Sequence, residues 1–258
     1  MTTTPGAADW RAANLANWDE RVPIHTAGSF YDLPAFVAGR NTLRDFELSE
    51  VGDVAGKTLL HLQCHIGLDT LSWSRRGATV TGLDFSAVAV KAANGLAAQV
   101  DATTARFVTA DVYDAVQALG GQRFDIVYTG FGALCWLGDI ARWARTAAAL
   151  VAEGGFLYLA EYHPVADLLG DDGATVENDY FHRDPIVVDA PGTYADASAP
   201  MAATVTVEWR HGIGDVVSAL TAAGLRIEFL HEHDHSHFRL PAGKGIPQVY
   251  SLRAAKTA

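Results

Sequence analysis

The residues of this 258-residue chain whose types and spacing could do chemistry are one acid at a strand end and a scatter of imidazole and phenol groups. Asp84 directly follows the apolar run Ala78–Leu83. A carboxylate at the carboxyl end of a buried strand can accept hydrogen bonds from a pair of ribose hydroxyls, in the crevice where open α/β sheets hold their ligands. His163 follows the apolar segment FLYLAEY, His211 follows Trp209 by two residues, and Tyr31 sits in an aromatic-rich stretch near the N-terminus. Such groups can take or deliver a proton once positioned, so His163, His211 and Tyr31 are the candidate catalytic residues. A further run, HEHDHSH at 231–237, alternates His231, His233, His235 and His237. On an extended strand these share one face, and imidazoles on one face can bind zinc, copper or nickel. A polar strand end and loop near a segment covering the substrate is the other reading, and no metal is assigned.

The elements that must position Asp84 lie in the preceding stretch, KTLLHLQCHIGLDTLSWSRRGATVTGLD. Thr58–Leu62 has the length and bounding of a buried parallel strand, Gly67 is the turn after it, and Asp69 stands where a helix takes an N-cap. Arg75 and Arg76 then suit the negative end of the helix dipole, and Gly77 supplies a left-handed stop. With Ala78–Leu83 as the second strand, this is one βαβ unit with an acid at its tip. The loop after the first strand decides the ligand. A dinucleotide needs G-x-G-x-x-G there, because its pyrophosphate lies almost on the backbone. This chain has Gln63-Cys64-His65-Ile66-Gly67, and Asp69 adds a charge that repels phosphate. S-adenosylmethionine (SAM), which has no phosphate, fits better. A nicotinamide-dependent oxidoreductase is the alternative that this loop disfavours.

LLHLQCHIG followed by VTGLDFS resembles motifs I and II of the class I SAM-dependent methyltransferases, the group that includes quinone-biosynthesis and natural-product methyltransferases. The usual motif I is closer to V-L-D-L-G-C-G-x-G. Here His61 replaces the common acid, Gln63 and His65 replace the first and second Gly, and Cys64 and Gly67 are kept. The resemblance implies an α/β, Rossmann-like fold with a seven-stranded, mostly parallel sheet of order 3-2-1-4-5-7-6 and helices on both faces. It implies that Gln63, Cys64, His65 and Gly67 back the methionine part of SAM, while Asp84, Phe85 and Ser86 hold the ribose. Asp111 and Val112 would lie at the adenine, and Thr129 and Gly130 would border the sulfonium. The product would be S-adenosylhomocysteine (SAH), with the methyl passed to nitrogen, oxygen or carbon of a small molecule. A non-catalytic SAM-binding regulator of the same fold is the alternative from another class.

The rest of the chain is read around that core as one domain over 1–258. Residues 1–8 read as a disordered lead, 9–50 as an N-terminal helical lid, 57–162 as the SAM-binding core, 163–204 as an inserted substrate cover, and 205–258 as closing strands and a helix. A helix from Asp9 to Glu20 or Arg21 carries Trp10, Asn14 and Trp18 on one face, and Pro23 is expected to end it. Trp18, His25, Phe30, Tyr31 and Arg40 are the lid's candidates for the cleft; docking the helices on the sheet is their other reading. Ser86 caps a helix ending near Gly95, and Asp111 caps the helix YDAVQAL. Strands are expected at Ala105–Thr109 and Phe124–Thr129. The helix from Asp139, with Ile140, Trp143, Ala147 and Leu150 on one face, stops at Glu153-Gly154-Gly155 before the fifth strand. The cover, with Pro164, Pro185, Pro191 and Pro200, shows no regular strand. Val205–Trp209, Leu225–Leu230 and Gln248–Arg253 are further strands, with a helix over Asp215–Ala223 closed by Gly224.

Charge narrows the function. Nineteen basic against 30 acidic residues give −11, which disfavours nucleic acid and anionic membranes and suits a small neutral or cationic substrate. The two cysteines support neither a disulfide framework nor a thiolate zinc site. No apolar stretch reaches the ~18 residues of a membrane span, and the N-terminus lacks a signal peptide's pattern. A cytoplasmic monomer or homodimer is expected.

Overall fold

The computed structural model describes residues 10–170, 172–235, 243 and 245–256. The expected disordered lead and His237 lie outside them. Three helices come first, α1 (Trp10–Ala27), α2 (Leu33–Val37) and α3 (Asp45–Val51). Strands and helices then alternate through β1 (Thr58–Leu62), α4 (Leu68–Ser74), β2 (Thr79–Asp84), α5 (Ala87–Gln99), β3 (Arg106–Thr109), α6 (Ala115–Ala118), β4 (Phe124–Thr129), α7 (Ile140–Leu150) and β5 (Val151–Tyr162). The chain closes with β6 (Ile186–Asp189), β7 (Val205–Glu208), α8 (Ile213–Ala222), β8 (Leu225–His233) and β9 (Val249–Lys256).

Seven strands form one sheet in the order β3-β2-β1-β4-β5-β9-β8. The first five are parallel, and β9 runs antiparallel between β5 and β8. This is the expected order 3-2-1-4-5-7-6, with β8 and β9 as its sixth and seventh strands. A parallel sheet covered on both faces needs apolar residues on both. Accordingly Leu60 and Leu62 of β1 pack in one cluster with Trp143 and Ala147 of α7 and Leu220 of α8. Leu59, on the opposite face, packs in another with Val51 of α3 and Trp73 of α4. His61 shares the Leu59 face, is buried, and its Nδ1 bonds Thr70 Oγ1 at 2.8 Å. Burial brings its pKa down to about 3, so it is neutral.

Local expectations and structure part in several places. Pro23 does not end α1, which runs on to Ala27. The ring forfeits one backbone donor, but Val22 and His25 are buried beneath the last turn, and Thr26 Oγ1 donates to the carbonyls of Val22 and Pro23 at 3.0 and 3.1 Å. The N-cap of α4 is Gly67, at φ 82°, rather than Asp69. Asp69 lies in the first turn and accepts from Thr42 Oγ1 at 2.5 Å. Helix α5 continues through Gly95 to Gln99, since burial of Leu96 and Ala97 outweighs a helical glycine's cost of about 1 kcal/mol. After α7 the chain enters β5 at Val151, before the Gly-Gly turn.

The cover holds a strand that local pattern did not show. β6 pairs antiparallel with β7 in a separate two-stranded sheet. Helix α1 lies along this ribbon. The Asn14 side chain donates to Val207 O and accepts from Val207 N, both at 2.8 Å, as a neighbouring strand would. Asn17 Nδ2 donates to Ala203 O at 2.6 Å. The free edge of β7 is thereby covered by the lid helix.

If Pro23 is strain that packing overrides, Pro23→Ala should stabilise the protein by about 1 kcal/mol or more, read as a rise in the urea midpoint. An unchanged or lower midpoint would show that the ring is accommodated without cost.

Candidate functional site

Leu62 pairs with Leu83 on one side and Thr129 on the other. Gln63, Asp84 and Gly130 therefore leave the sheet at one level, and the cleft opens there, where ligands of such sheets bind. It holds two adjoining cavities of about 130 Å³ and about 800 Å³. Trp18, Tyr31, Gln63, His65, Phe131, Gly132, Trp136 and Tyr194 line both, so one extended ligand can run from the first into the second.

Asp84, Phe85, Asp111 and Val112 line the smaller cavity. Asp84 Oδ2 accepts from His65 N at 2.8 Å and Oδ1 from Ser86 N at 2.9 Å. Burial pushes its pKa up to about 6. Each oxygen keeps a lone pair for a ligand hydroxyl. Asp111 Oδ1 accepts from Tyr113 N at 2.8 Å, while Oδ2 pairs with Arg11 Nε at 2.9 Å. Ser86 caps α5, accepting from Ala89 N at 3.0 Å, and its hydroxyl donates to Asp19 Oδ1 at 2.5 Å. Ser86 and Thr129 are outside both linings.

Gln63, Cys64, His65, Gly67 and Gly130 line the larger cavity. Gln63 and His65 have φ of 58° and 49°. They hold the left-handed shape of the glycines they replace, at a cost of order 1 kcal/mol each. Gln63 Nε2 donates to Ala133 O at 2.9 Å, and its Oε1 is buried without a partner. His65 Nε2 meets His25 Nδ1 at 2.9 Å, with the Trp18 and Tyr31 rings 5.1 and 5.6 Å away. Burial takes His65 down to about 3 and His25 to about 4, so both rings are neutral and one N–H lies between them. The Cys64 thiol is pushed up by burial and stays a thiol. Above them Tyr31 Oη and Tyr194 Oη share a hydrogen bond that joins the lid to the cover.

Glu161, on β5, organises the loop after β4. Its Oε1 accepts from Gly132 N and Tyr162 N at 2.5 and 2.7 Å, and Oε2 from Ala133 N and Leu134 N at 2.8 and 2.9 Å. Burial raises its pKa to about 7, against the pull of those four donors. Of the three candidate catalytic residues, Tyr31 and His211 line the larger cavity. His211 Nε2 donates to Leu137 O at 2.7 Å, and burial lowers its pKa. His163 lines neither cavity. Its Nδ1 accepts from Val165 N at 3.1 Å and its Nε2 donates to Glu232 Oε1 at 2.9 Å.

The alternating histidines lie elsewhere, against α3. His231 Nδ1 bonds Glu50 Oε1 at 2.7 Å, His233 Nε2 bonds Ser251 Oγ at 3.0 Å, and the His233 ring stacks on Phe46 at 4.1 Å. Among the described residues, no group of three or more His, Cys, Asp or Glu is placed to hold a metal. Sequence reasoning passed over Arg21, Arg44, Trp136 and Tyr194, all in the larger cavity's wall. For Arg21 the signal was present, since the face Trp10, Asn14, Trp18 continues by helical steps to Arg21 and His25 once the helix passes Pro23.

Glu161→Ala would leave four backbone donors without their acceptor. It should cost about 3 kcal/mol in urea unfolding, and a loss below about 1 kcal/mol would mean that the loop does not depend on this carboxylate.

Residues 60–157 match the family model described as a methyltransferase domain. Among curated proteins no sequence matches the chain. Solved structures do. An SAM-dependent methyltransferase from Mesorhizobium loti is 20% identical with a TM-score of 0.55, over 80% of this chain and 94% of that one. The CcbJ methyltransferase from Streptomyces caelestis is 16% identical with a TM-score of 0.60, over 82% and 88%. Magnesium protoporphyrin IX methyltransferase from Synechocystis, solved with bound SAH, is 16% identical with a TM-score of 0.53, over 100% and 90%. At such identities the likeness is one of fold. Residues 60–157 thus resemble a methyltransferase domain, and the fold of the chain is that of the class I SAM-dependent methyltransferases.

Proposed function

We propose that the protein is an enzyme that binds SAM across the two cavities and transfers its methyl group to a small molecule. The observation that carries this reading is the buried Asp84 carboxylate at the end of β2, held by His65 N and Ser86 N and lining the smaller cavity. The residues present fit SAM. Asp84 suits the ribose hydroxyls, and Asp111, fixed by Arg11, stands at the adenine end. Gln63 Oε1, buried without a donor, suits the ammonium of the methionine part. A pyrophosphate would instead meet the Gln63 and His65 side chains, with the buried acid Asp69 in the first turn of α4.

When bound, SAM supplies an electrophilic methyl group on a sulfonium sulfur. The chain's own part is alignment and exclusion of water. Three hydrogen bonds to Glu161 fix the Gly132–Leu134 loop, which lies where the two cavities meet, so the floor of the junction is set before any ligand arrives. The Tyr31–Tyr194 bond and Trp18 close the roof above it. Burial raises the Tyr31 pKa well above its ordinary value, so its hydroxyl positions groups as a neutral donor or acceptor. Tyr31 and His211 are the residues of this reading that face the acceptor, whereas His163 supports β5 from outside the cavity. No helix among the described residues is long and apolar enough to cross a membrane. A small-molecule enzyme of the cytoplasm, monomeric or homodimeric, is the reading we adopt.

The test is calorimetric titration with SAH across pH. Asp84 accepts hydroxyl hydrogen bonds as a carboxylate, the form present above its pKa of about 6. Protonation on acidification removes an acceptor, so affinity should be flat from pH 8 to 7 and fall about tenfold by pH 5. Asp84→Asn should bind weakly with little pH dependence. Wild-type-like binding by that variant would remove Asp84 from the site.

A further inference from the structure

The larger cavity carries information about the acceptor, and the inference here rests on the function proposed above. Its wall is aromatic, with Trp18, Trp136, Tyr194, Phe131 and Tyr162 among the lining side chains. Set into it is Arg21 of α1. Its guanidinium carbon lies 4.8 Å from the Trp18 ring centroid, 5.5 Å from Trp136 and 5.7 Å from Tyr194. Its Nε is buried with no hydrogen-bond partner. A guanidinium so enclosed has its faces taken by rings, and the group best matched to its remaining edge is a carboxylate. A buried donor left unpaired costs about 1–3 kcal/mol, so a ligand that supplies the acceptor recovers it.

Three acids of the same wall are engaged with other donors. Glu161 spends its oxygens on four backbone donors, Glu47 accepts from Tyr128 Oη at 2.6 Å and Arg44 N at 2.9 Å, and Asp69 accepts from Thr42 Oγ1. Burial pushes all three carboxyls up, Glu47 with help from the charge of Asp69. Glu208 and Asp167 also line the cavity; Glu208 accepts from Thr206 Oγ1 at 3.2 Å and its charge acts on Arg21, yet it supplies no acceptor to Arg21 Nε. Two of the aromatic rings that could cage an ammonium already face cations, Trp18 facing Arg21 and Phe131 facing Arg44 at 3.9 Å. The net charge of −11, which suggested a neutral or cationic substrate, is not the charge the acceptor meets.

We propose that the acceptor is an aromatic carboxylic acid, its carboxylate bound at the edge of the Arg21 guanidinium and its ring packed between the aromatic side chains of the cavity. The test uses protein saturated with SAH and four probes, benzoate, 4-hydroxybenzoate, benzamide and benzylamine, measured by calorimetry. The two carboxylates should bind about tenfold or more tighter than benzamide and benzylamine. Arg21→Gln should abolish that preference and leave SAH affinity within about twofold. Should Arg21→Gln melt early, Arg21→Lys, which keeps the charge and loses the fork, should weaken the carboxylates less than Arg21→Gln would be expected to and leave SAH unchanged. Binding of benzamide or benzylamine as tight as benzoate, or no binding of any probe to the SAH complex, would overturn the proposal. So would an Arg21 variant that loses SAH while keeping the carboxylate preference, because Arg21 would then serve the cofactor. Failure of SAH itself to bind wild-type protein would instead remove the methyltransferase reading.

Discussion

A carboxylate taken out of water must be given donors or give up its charge, and in this protein that constraint shapes the site. Asp84 is buried at the tip of β2 and finds its donors in two backbone N–H groups, one from the loop after β1 and one from the start of α5. The pairing with His65 N draws the loop toward the β2 tip, with Gln63 and His65 in left-handed conformations. Glu161 repeats the device three strands away, collecting four N–H groups and fixing the loop after β4. Two buried acids thus set the two loops that bound the cleft. The same property that costs stability, an oxygen with lone pairs to spare in a dry place, is what suits Asp84 to the hydroxyl-holding role proposed for it.

Over this floor lies one helix. Along α1, Arg11 pairs with Asp111 at the far end of the smaller cavity, Asn14 holds the β7 edge, Trp18 spans the junction, Arg21 enters the larger cavity and His25 backs His65. Successive turns of a helix touch successive parts of one elongated ligand site, because residues three and four apart share a face. The helix is itself tied to β7 through Asn14 and to Ala203 just before it through Asn17. Helix α1, the β6–β7 ribbon and the main sheet therefore meet where the two cavities adjoin.

What the sequence disclosed follows from where its signals are local. β1 and β4 were legible to the residue because buried parallel strands read as continuous apolar runs bounded by turn residues. The acids at strand tips, Asp84 and Asp111, were legible because a charge directly after such a run has few structural uses. β6 was not, since its four residues are half exposed and their partner β7 lies far along the chain. Pro23 misled because the rule that ends helices at proline ignores packing. That error hid Arg21's membership of the Trp18 face. His163 drew attention by following a strand, yet the turn after β5 carries it away from the cavity and into hydrogen bonds with Val165 and Glu232.

The central claim is that SAM lies across both cavities with its ribose on Asp84. A crystal structure of the SAH complex tests it most directly. The account predicts both ribose hydroxyls within about 2.5–3.0 Å of the Asp84 oxygens, the adenine toward Asp111, and the sulfur at the junction beside Gly132. A nucleoside bound away from Asp84, or a thioether outside the junction, would contradict it.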